Sequence, residues 1–386
     1  MKKEEAKLDL LYMLDELDKN HISLYYSTSR KEILDYIDKL LNTIKYDNYF
    51  DFLYLVKLVI KRLSGKYDQH MHASYKDLHV LPLRFTYLNR SLYLIDGLPE
   101  HKEHLYKKII KINDIETNTI LREYFATINN DIPTYKNYLL RKLLFEDFLQ
   151  LPSIDSNCHV LEFQFEDNSI VKVDININYH PTPPKIDVIE KQLSNFIYLK
   201  FPSFNLSTAS LEKLVNKLRV AKDRQKMDYL VIDLRDIVIN SNNTKPLSIL
   251  AKAIKQYKFK TYVAVNGGTY GVGAIAAYEL KLAGAILVGE DIGSTLTGFT
   301  KGSGFIELPN SGITLMNSCA FQYPTSRGIS LIENKKDFKK LNSSYKKILY
   351  FDVDKEIRNK LIDYKENKDI VMKYIINTEE KNKWII

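Results

Sequence analysis

The chain has 386 residues, of which 45% are hydrophobic and 27% are charged, and its formal net charge is +8. This length is enough for two or three domains, each with a sizeable core. The lysines are spread along the chain among acidic residues, with no arginine-rich block, so the charge indicates a solvated surface and no nucleic-acid partner.

The number of cysteines and the lengths of the apolar runs indicate the cellular compartment. Cys158 and Cys319 cannot form a disulfide framework and show no metal-ligand spacing, which favours a reducing compartment. The first 20 residues lack the uninterrupted apolar core of a signal peptide. No run approaches the roughly 18 apolar residues that span a membrane. We therefore expect a cytoplasmic protein with no membrane partner.

Residues 1–76 are predicted to be helical. "STSRKEILDYIDKLLNTI" opens with a capping box from Ser29 to Glu32 and continues with apolar residues at the helical period. "YFDFLYLVKLVIKRLSG" is apolar on most faces, and Gly65 lies at the usual stop position of a helix. This pattern predicts packed helices at the start of the chain.

Residues 77–180 have a β-rich pattern. "HVLPLRFTYL", "SLYLID" and "KKIIKIND" are short apolar runs bounded by turn formers, as in strands. "TYKNYLLRKLLFEDFLQL" predicts a helical stretch, and "HVLEFQFEDNSIVKVDININ" predicts a hairpin with its turn at "EDNS". The cluster "HPTPPK", His180 to Lys185, is the best linker candidate.

In residues 181–386 strand and helix patterns alternate. Buried-strand patterns such as "MDYLVIDLR", "KTYVAVN" and "AILVGE" are separated by helical ones such as "LSILAKAIKQY". This order predicts a largely parallel sheet with helices packed on it.

A glycine-rich turn precedes one of these helices, in "TYGVGAIAAYELKLAGAILVGE". "GVGAIA" matches G-x-G-x-x-A, and Glu290 follows about 20 residues on, where a ribose-binding acid would lie. Against a dinucleotide site, "GGTY" separates the preceding strand from Gly271. The other functional interpretation is a nucleophile turn, because a helix N-terminus favours a developing anion.

An ordered set of segments resembles the S41 serine peptidases, the C-terminal-processing or tail-specific proteases with tricorn-like members. "FIYLKFPSF", "DYLVIDLR", the glycine-rich segment and "GFIELPNSGITL" come in the family's order, and "LYKKIIKINDIE" looks like the end of a PDZ-like module. The resemblance implies an α+β fold. Its parts would be an N-terminal helical region, a PDZ-like β-rich middle module and a C-terminal α/β peptidase-like (ClpP/crotonase-like) domain.

The resemblance also implies site positions. The family reads roughly T-[FY]-S-x-[AG]-E at its nucleophile, where this chain has Thr269, Tyr270 and Gly271, so Gly271 stands at the serine position. His70, in "DQH", matches the proposed general base, and Glu290 matches the acid that orients it. The family's Ser–Lys members place a lysine some 25 residues past the serine. That region is "STLTGF" here and Lys301 lies about 30 residues on, so a Ser–Lys dyad also fails.

The segment after "DLR" and the residue after Gly271 are the expected substrate-binding positions. They are Ile237, Val238 and Val272. The family continues from "DLR" with consecutive glycines, whereas here Asp236 is followed by bulky β-branched residues, which disfavour an oxyanion loop.

Several side chains remain open as substitutes or ligands. Ser294 is the possible substitute nucleophile if the site is rebuilt, with Thr269 as the other candidate, and the intervening turn leaves neither geometrically secure. Cys319 is expected to be buried packing. His70 and His72 could hold a metal but have no third ligand cluster, so no metal and no cofactor are expected. Asp68 could orient His70, and Gly271 and Gly273 let the helix pack closely under every interpretation.

The expected function is that of a catalytically silent S41 homologue, a pseudopeptidase, that binds an extended peptide or a protein C-terminus. A glycine cannot attack a carbonyl, but strand addition at a sheet edge needs only backbone hydrogen bonds and side-chain pockets. An active S41 relative or a second copy of the chain would be the further partner. The alternatives are an active serine-type peptidase with a rebuilt site and a dinucleotide-binding protein.

Overall fold

The computed structural model describes residues 2–74, 79–175, 188–193, 195–204, 207–237 and 245–382. The predicted linker at 180–185 and the predicted site residue Val238 lie outside these residues. Among the described residues, no helix is both long enough and apolar enough to cross a bilayer.

The N-terminal region is helical, as predicted, and is followed by a short strand. Its elements are α1 (Lys3–Asn20), α2 (Arg30–Thr43), α3 (Tyr49–Ser64) and β1 (His72–Ser74). The capping box at the start of α2 is confirmed, with the Ser29 side chain accepting from the Glu32 amide. Gly65 ends α3 at φ 53, a conformation that glycine adopts without strain.

The middle region is an antiparallel sheet with helices on it. Its elements are β2 (Leu83–Leu88), β3 (Ser91–Gly97), β4 (Lys108–Ile112), β5 (Ile115–Glu116), α4 (Thr117–Ala126), α5 (Pro133–Leu140), α6 (Phe145–Leu149), β6 (Val160–Phe165) and β7 (Ile170–Asp174). The sheet order is β2-β3-β4-β6-β7, with β5 on β4. The β6–β7 hairpin is confirmed. The single predicted helical stretch is two helices, because the helical conformation ends at Leu140 and resumes at Phe145.

The rest of the chain carries the parallel sheet and a second antiparallel sheet. Its elements are β8 (Ile189–Leu193), β9 (Phe196–Lys200), α7 (Thr208–Gln225), β10 (Tyr229–Asp233), α8 (Lys245–Tyr257), β11 (Lys260–Val265), α9 (Val272–Leu282), β12 (Ile286–Gly289), β13 (Gly298–Glu307), β14 (Thr314–Thr325), β15 (Gly328–Ile332), α10 (Lys335–Lys340), β16 (Lys355–Glu356), α11 (Leu361–Lys365) and α12 (Ile370–Asn382). One sheet has the order β16-β12-β11-β10-β9-β8, parallel from β16 to β9.

The second antiparallel sheet joins the two ends of the chain. Its strand β14 pairs with β13, with β15 and with β1 from the N-terminal region. The turn between β13 and β14 also docks on α1, where Asp9 accepts from the amides of Asn310 (2.9 Å) and Ser311 (2.8 Å). Both contacts fix the loop between α3 and β1, which carries His70, against the C-terminal half.

A buried ion pair anchors the C-terminal helix to the parallel sheet. Arg235, just after β10, donates to Asp233 through Nε (2.9 Å) and Nη2 (2.7 Å), and to both oxygens of Asp369 next to α12 (2.9 and 2.7 Å). The predicted α+β class, with a helical start and an α/β C-terminal part, is confirmed; the PDZ-like nature of the middle remains a prediction.

Candidate functional site

A cleft of about 1120 Å³ lies where the three regions meet. α3 and the loop before β1 line one part, α4 to α6 another, and the start of α9 with β13 to β15 the remainder. Among the predicted site residues, His70, Gly271 and Val272 line it. The structure therefore brings the expected base, His70, and the expected nucleophile position, Gly271, into one cleft.

The turn before α9 is locked from below. Thr269 is fully buried. Its hydroxyl donates to the Leu234 carbonyl (2.8 Å) and accepts from the Asn266 amide (3.0 Å). Gly271 follows as the N-cap of α9, with φ 55 and ψ −122. A side chain would be strained there, whereas glycine adopts this conformation at little cost. Thr269 is thus committed to holding the turn.

The amide of Val272 is the first N–H of α9 beyond this turn. Among the described residues it has no hydrogen-bond acceptor, as is usual for the first turn of a helix. Its side chain lines the cleft. An acceptor atom in the cleft, such as a peptide carbonyl, would satisfy this donor.

Ile237 packs beneath the helix. It is 0% exposed, and a Cβ added at Gly273 would lie 2.4 Å from its Cδ1. The glycine at 273 therefore serves the close approach of α9 to the core, and the Ile237 side chain faces this core instead of the cleft.

His70 is positioned through its backbone. Its amide and that of Met71 donate to Oδ1 of Asp68, at 3.0 and 2.9 Å. Burial lowers the pKa of the His70 ring below its ordinary value, and His72 adds to this, while Asp68 opposes it. A lowered pKa favours the neutral ring, the state that a general base requires.

Asp68 is bound to other side chains than the His70 ring. His21 donates from Nε2 to its Oδ2 (3.1 Å) and accepts at Nδ1 from Ser23, and Ser318 donates to its Oδ1 (2.8 Å). Burial acts to raise the pKa of Asp68, but these hydrogen bonds outweigh it and lower that pKa. Asp68 thus fixes the loop that carries His70. In the same loop, His72 donates its Nδ1–H to the His70 carbonyl (2.8 Å).

Glu290 lies in a different group of charges, at the carboxyl ends of the parallel strands. Burial raises its pKa and nearby Asp236 adds to this, while Arg141 opposes it. Arg141 in turn lies 3.4 Å from Asp236. Among the described residues no hydrogen bond joins Glu290 to His70. Glu290 also does not line the cleft that His70 lines, so a role for the two as base and orienting acid remains a prediction.

Asp236 stands where the family's glycine-rich loop begins. Its φ is 56, in the left-handed region that aspartate tolerates better than bulky residues do. Its amide donates to Oδ1 of Asn266 (3.2 Å), and is therefore already occupied by a side chain. This donor is not free for an oxyanion.

A tyrosine cluster covers the turn. The ring of Tyr270 lies 5.4 Å from that of Tyr135 and 5.9 Å from that of Tyr138, both on α5. The fit is tight, since a Cβ at Gly267 would lie 1.9 Å from the Thr134 carbonyl oxygen. Sequence reasoning missed this cover, because more than a hundred residues separate α5 from the turn and no local pattern links them.

The remaining candidates are engaged elsewhere. Ser294 is 6% exposed, does not line the cleft, and donates to Gln69 (3.1 Å) and to the Thr295 carbonyl (3.2 Å). Lys301 lines the cleft but pairs with Glu333, which raises the pKa of its amine. Cys319 donates its thiol to the Lys301 carbonyl (3.1 Å). The described residues contain no cluster of three or more His, Cys, Asp or Glu that could hold a metal ion.

Charged and apolar residues that the sequence reasoning missed also line the cleft. Burial lowers the pKa of Lys57, on α3, to about 8, although Asp147 opposes the shift. Phe305 and Leu331 are 69% and 47% exposed, which is high for such residues. Glu279 lines the cleft from α9. Its spacing from Val272 and Ile275 could have signalled this, because positions i, i+3 and i+7 share a helix face.

The fold and the cleft together define an α+β peptidase-like architecture. The structure of mature CPAF complexed with lactacystin is similar over 96% of this chain and 98% of that chain, with a TM-score of 0.60 and 11% identity. Mature CPAF alone gives a TM-score of 0.56 and 11% identity, over 94% and 96% of the two chains. At such identity the similarity shows the fold alone.

A photosystem II D1 C-terminal processing protease is also similar, over 92% of this chain and 93% of that chain, at 13% identity. Its TM-score of 0.43 is too low to indicate a shared fold by itself. No protein-family model matches this sequence, and no curated protein matches it either.

Proposed function

We propose that this peptidase-fold protein binds an extended peptide in the cleft and does not cleave it by a serine mechanism. The observation that carries this proposal is the turn at Gly271. It presents a helix N-terminus to a cleft of about 1120 Å³ and offers no side chain that could attack a carbonyl.

The lining of the cleft favours a peptide as its occupant. Phe305 on β13 and Leu331 on β15 line it with exposed apolar side chains, and Val272, which also lines it, has a backbone amide with no acceptor among the described residues. An extended peptide supplies both apolar side chains and backbone carbonyls. Binding of this kind does not depend on a nucleophile.

The same geometry argues against a rebuilt serine site. The lowered pKa of His70 suits it to accept a proton, but Ser294 does not line the cleft and the hydroxyl protons of Ser294 and Thr269 are already donated to protein oxygens, those of Gln69 and Leu234. The dinucleotide alternative gains nothing either, since Glu290 lies beside Arg141 and Asp236 outside the cleft lining.

The test is to incubate the purified protein with a complex peptide mixture and to analyse retained and new peptides by mass spectrometry. We expect a selected set of peptides to be retained and no new termini to form. New cleavage products that vanish in His70→Ala would overturn the non-cleaving part, and failure to retain any peptide would overturn the binding part.

A matched pair of variants on one helix checks that retention occurs in the cleft. Ile275 lines the cleft, whereas Leu282, at the far end of α9, is 39% exposed and lies outside it. Ile275→Arg should abolish retention, and Leu282→Arg should leave it unchanged. Equal retention by both variants would place binding elsewhere on the molecule.

A further inference from the structure

Glu279 is a cleft carboxylate with no counter-ion among the described residues. It lines the cleft from α9 and is half-buried. Among the described residues its side-chain oxygens accept no hydrogen bond and no cation lies within ion-pair distance. Burial raises the pKa of this carboxyl, and no neighbouring charge adds to that or opposes it.

The cations of the cleft do not neutralise this carboxylate. Asp147 is the carboxylate that acts on the pKa of Lys57, and Lys301, on β13, pairs with Glu333. Lys142 donates to the Tyr138 hydroxyl and lies 4.3 Å from the centre of its ring. The Glu279 carboxylate is therefore left for a group that comes from outside the chain.

Glu279 lies beside the start of β15, whose apolar residues also line the cleft. A Cβ added at Gly328, where β15 begins, would lie 3.4 Å from its Oε1, and the next cleft-lining residues of β15 are Ile329 and Leu331. A half-buried carboxylate beside apolar side chains is unfavourable until a cation pairs with it. Lysine and arginine suit such a place, because their aliphatic stems pack on apolar surface while the charged end reaches the carboxylate.

We propose that Glu279, with Ile329 and Leu331, forms a subsite that takes a basic side chain of the bound peptide. This inference rests on the proposed function, since it assigns the specificity of the same cleft.

The helix sets the register of this subsite. Glu279 is eight residues from Gly271, and a rise of about 1.5 Å per residue puts it about 12 Å along α9. An extended peptide advances about 3.3 Å per residue. The basic residue therefore stands three or four positions from the peptide residue that lies over Gly271.

The experiment uses ten-residue fluorescein-labelled peptides of alternating valine and threonine. One lysine is moved position by position, and norleucine replaces it in the matched neutral set. Fluorescence polarisation with the full-length protein should show one register in which lysine binds roughly fivefold more tightly than norleucine, the size expected of one partly exposed ion pair. Glu279→Gln should remove this preference, and Glu279→Lys should transfer it to a peptide with glutamate at that position.

Glu212→Gln is the matched control, because Glu212 is an exposed carboxylate on α7, outside the cleft. It should keep the lysine preference. If the peptides bind but lysine and norleucine are equivalent, or if the preference survives Glu279→Gln, the inference is overturned while the proposed function stands. If neither these peptides nor any from the complex mixture bind, the proposed function fails and the inference falls with it.

Discussion

Asp233 and Glu279 are two carboxylates in the α/β part of the molecule with opposite surroundings. Asp233 is 0% exposed, and two nitrogens of Arg235 and the Tyr198 hydroxyl (2.6 Å) donate to it. Burial acts to raise its pKa, but Arg235 more than offsets this and lowers it. Glu279 has only the effect of burial. The carboxylate that holds the fold is paired inside the chain, whereas the cleft carboxylate has no such partner among the described residues.

The largest expected effect comes from removing the cation that pairs with Asp233. Arg235→Ala leaves Asp233 buried without its cation and releases Asp369 from the sheet. We expect the free energy of unfolding to fall by about 3–5 kcal/mol, the usual effect of removing one partner of a buried pair. Urea denaturation at pH 7 measures it.

Lys217→Ala is the control for this variant, because Lys217 and Glu190 form an exposed pair at 2.6 Å. Its loss should stay below about 1 kcal/mol. Equal losses in the two variants would contradict the idea that burial separates the two kinds of pair.

Asp68→Asn tests the carboxylate that fixes the His70 loop. The amide cannot accept all the hydrogen bonds from His21, Ser318 and the backbone, so we expect a loss of about 3 kcal/mol at pH 7. The folded-state pKa of Asp68 is lowered, so its contribution is present above the unfolded value near 3.9 and is lost as pH falls through the folded value. The difference from wild type should shrink below about pH 4 in denaturant titrations.

Asp15→Asn serves as its comparison, since Asp15 pairs with Arg30 at 2.8 Å on the surface. A loss below about 1 kcal/mol is expected there. A difference for Asp68→Asn that stayed constant down to pH 3 would show that its ionisation does not stabilise the fold.

Gly271→Ser adds a hydroxyl at the position where the resemblance expects the nucleophile, on a backbone with φ 55 and ψ −122. We expect a destabilisation of about 1–3 kcal/mol from the strained conformation. Gly271→Ala carries the same strain without the hydroxyl and should unfold at the same temperature. Cleavage of retained peptides by the serine variant alone would show that only the nucleophile is missing; its absence would extend the loss to the segment that begins at Asp236.

The smallest effect is expected from Glu279→Gln without any peptide. Because the folded-state pKa of Glu279 is raised, ionisation of this carboxylate lowers the free energy of unfolding of the wild type. This loss of stability is absent below the unfolded pKa near 4.3 and grows as pH rises through the folded pKa. We expect the variant to be more stable than wild type by less than about 1 kcal/mol at pH 7 and equal to it at pH 4. Thermal unfolding at the two pH values measures this, and a variant less stable at pH 7 would indicate that the carboxylate already has a stabilising partner.

Local patterns were sufficient for most elements and for the turn at Gly271. The capping box at Ser29, the end of α3 at Gly65 and the β6–β7 hairpin follow from residues within one element or turn. The N-terminal position of Gly271 on α9 follows from the strand and helix patterns around it. These features depend on residues that are close in sequence, so one sequence is enough to predict them.

Contacts between distant segments could not be derived in this way. The cover of the turn by Tyr135 and Tyr138, the hydrogen bonds from His21 to Asp68, and the separation of Glu290 from the His70 ring all depend on how sheets and helices pack. The burial of Ile237 is of the same kind, since a β-branched residue after a strand can face either the core or a cleft. Tertiary packing decides such cases, and one sequence does not encode it in a local pattern.

The docking of the β13–β14 turn on α1 has a consequence for synthesis on the ribosome. Asp9 and Asn310 are 301 residues apart, and Leu308, Ile313 and Leu315 complete the core formed by α1 to α3. At about 5–20 residues per second, the nascent helices wait on the order of tens of seconds for these partners. During that time the part of the helical core that these residues cover stays exposed, so α1 to α3 become fully packed only after the β13–β14 turn has been made.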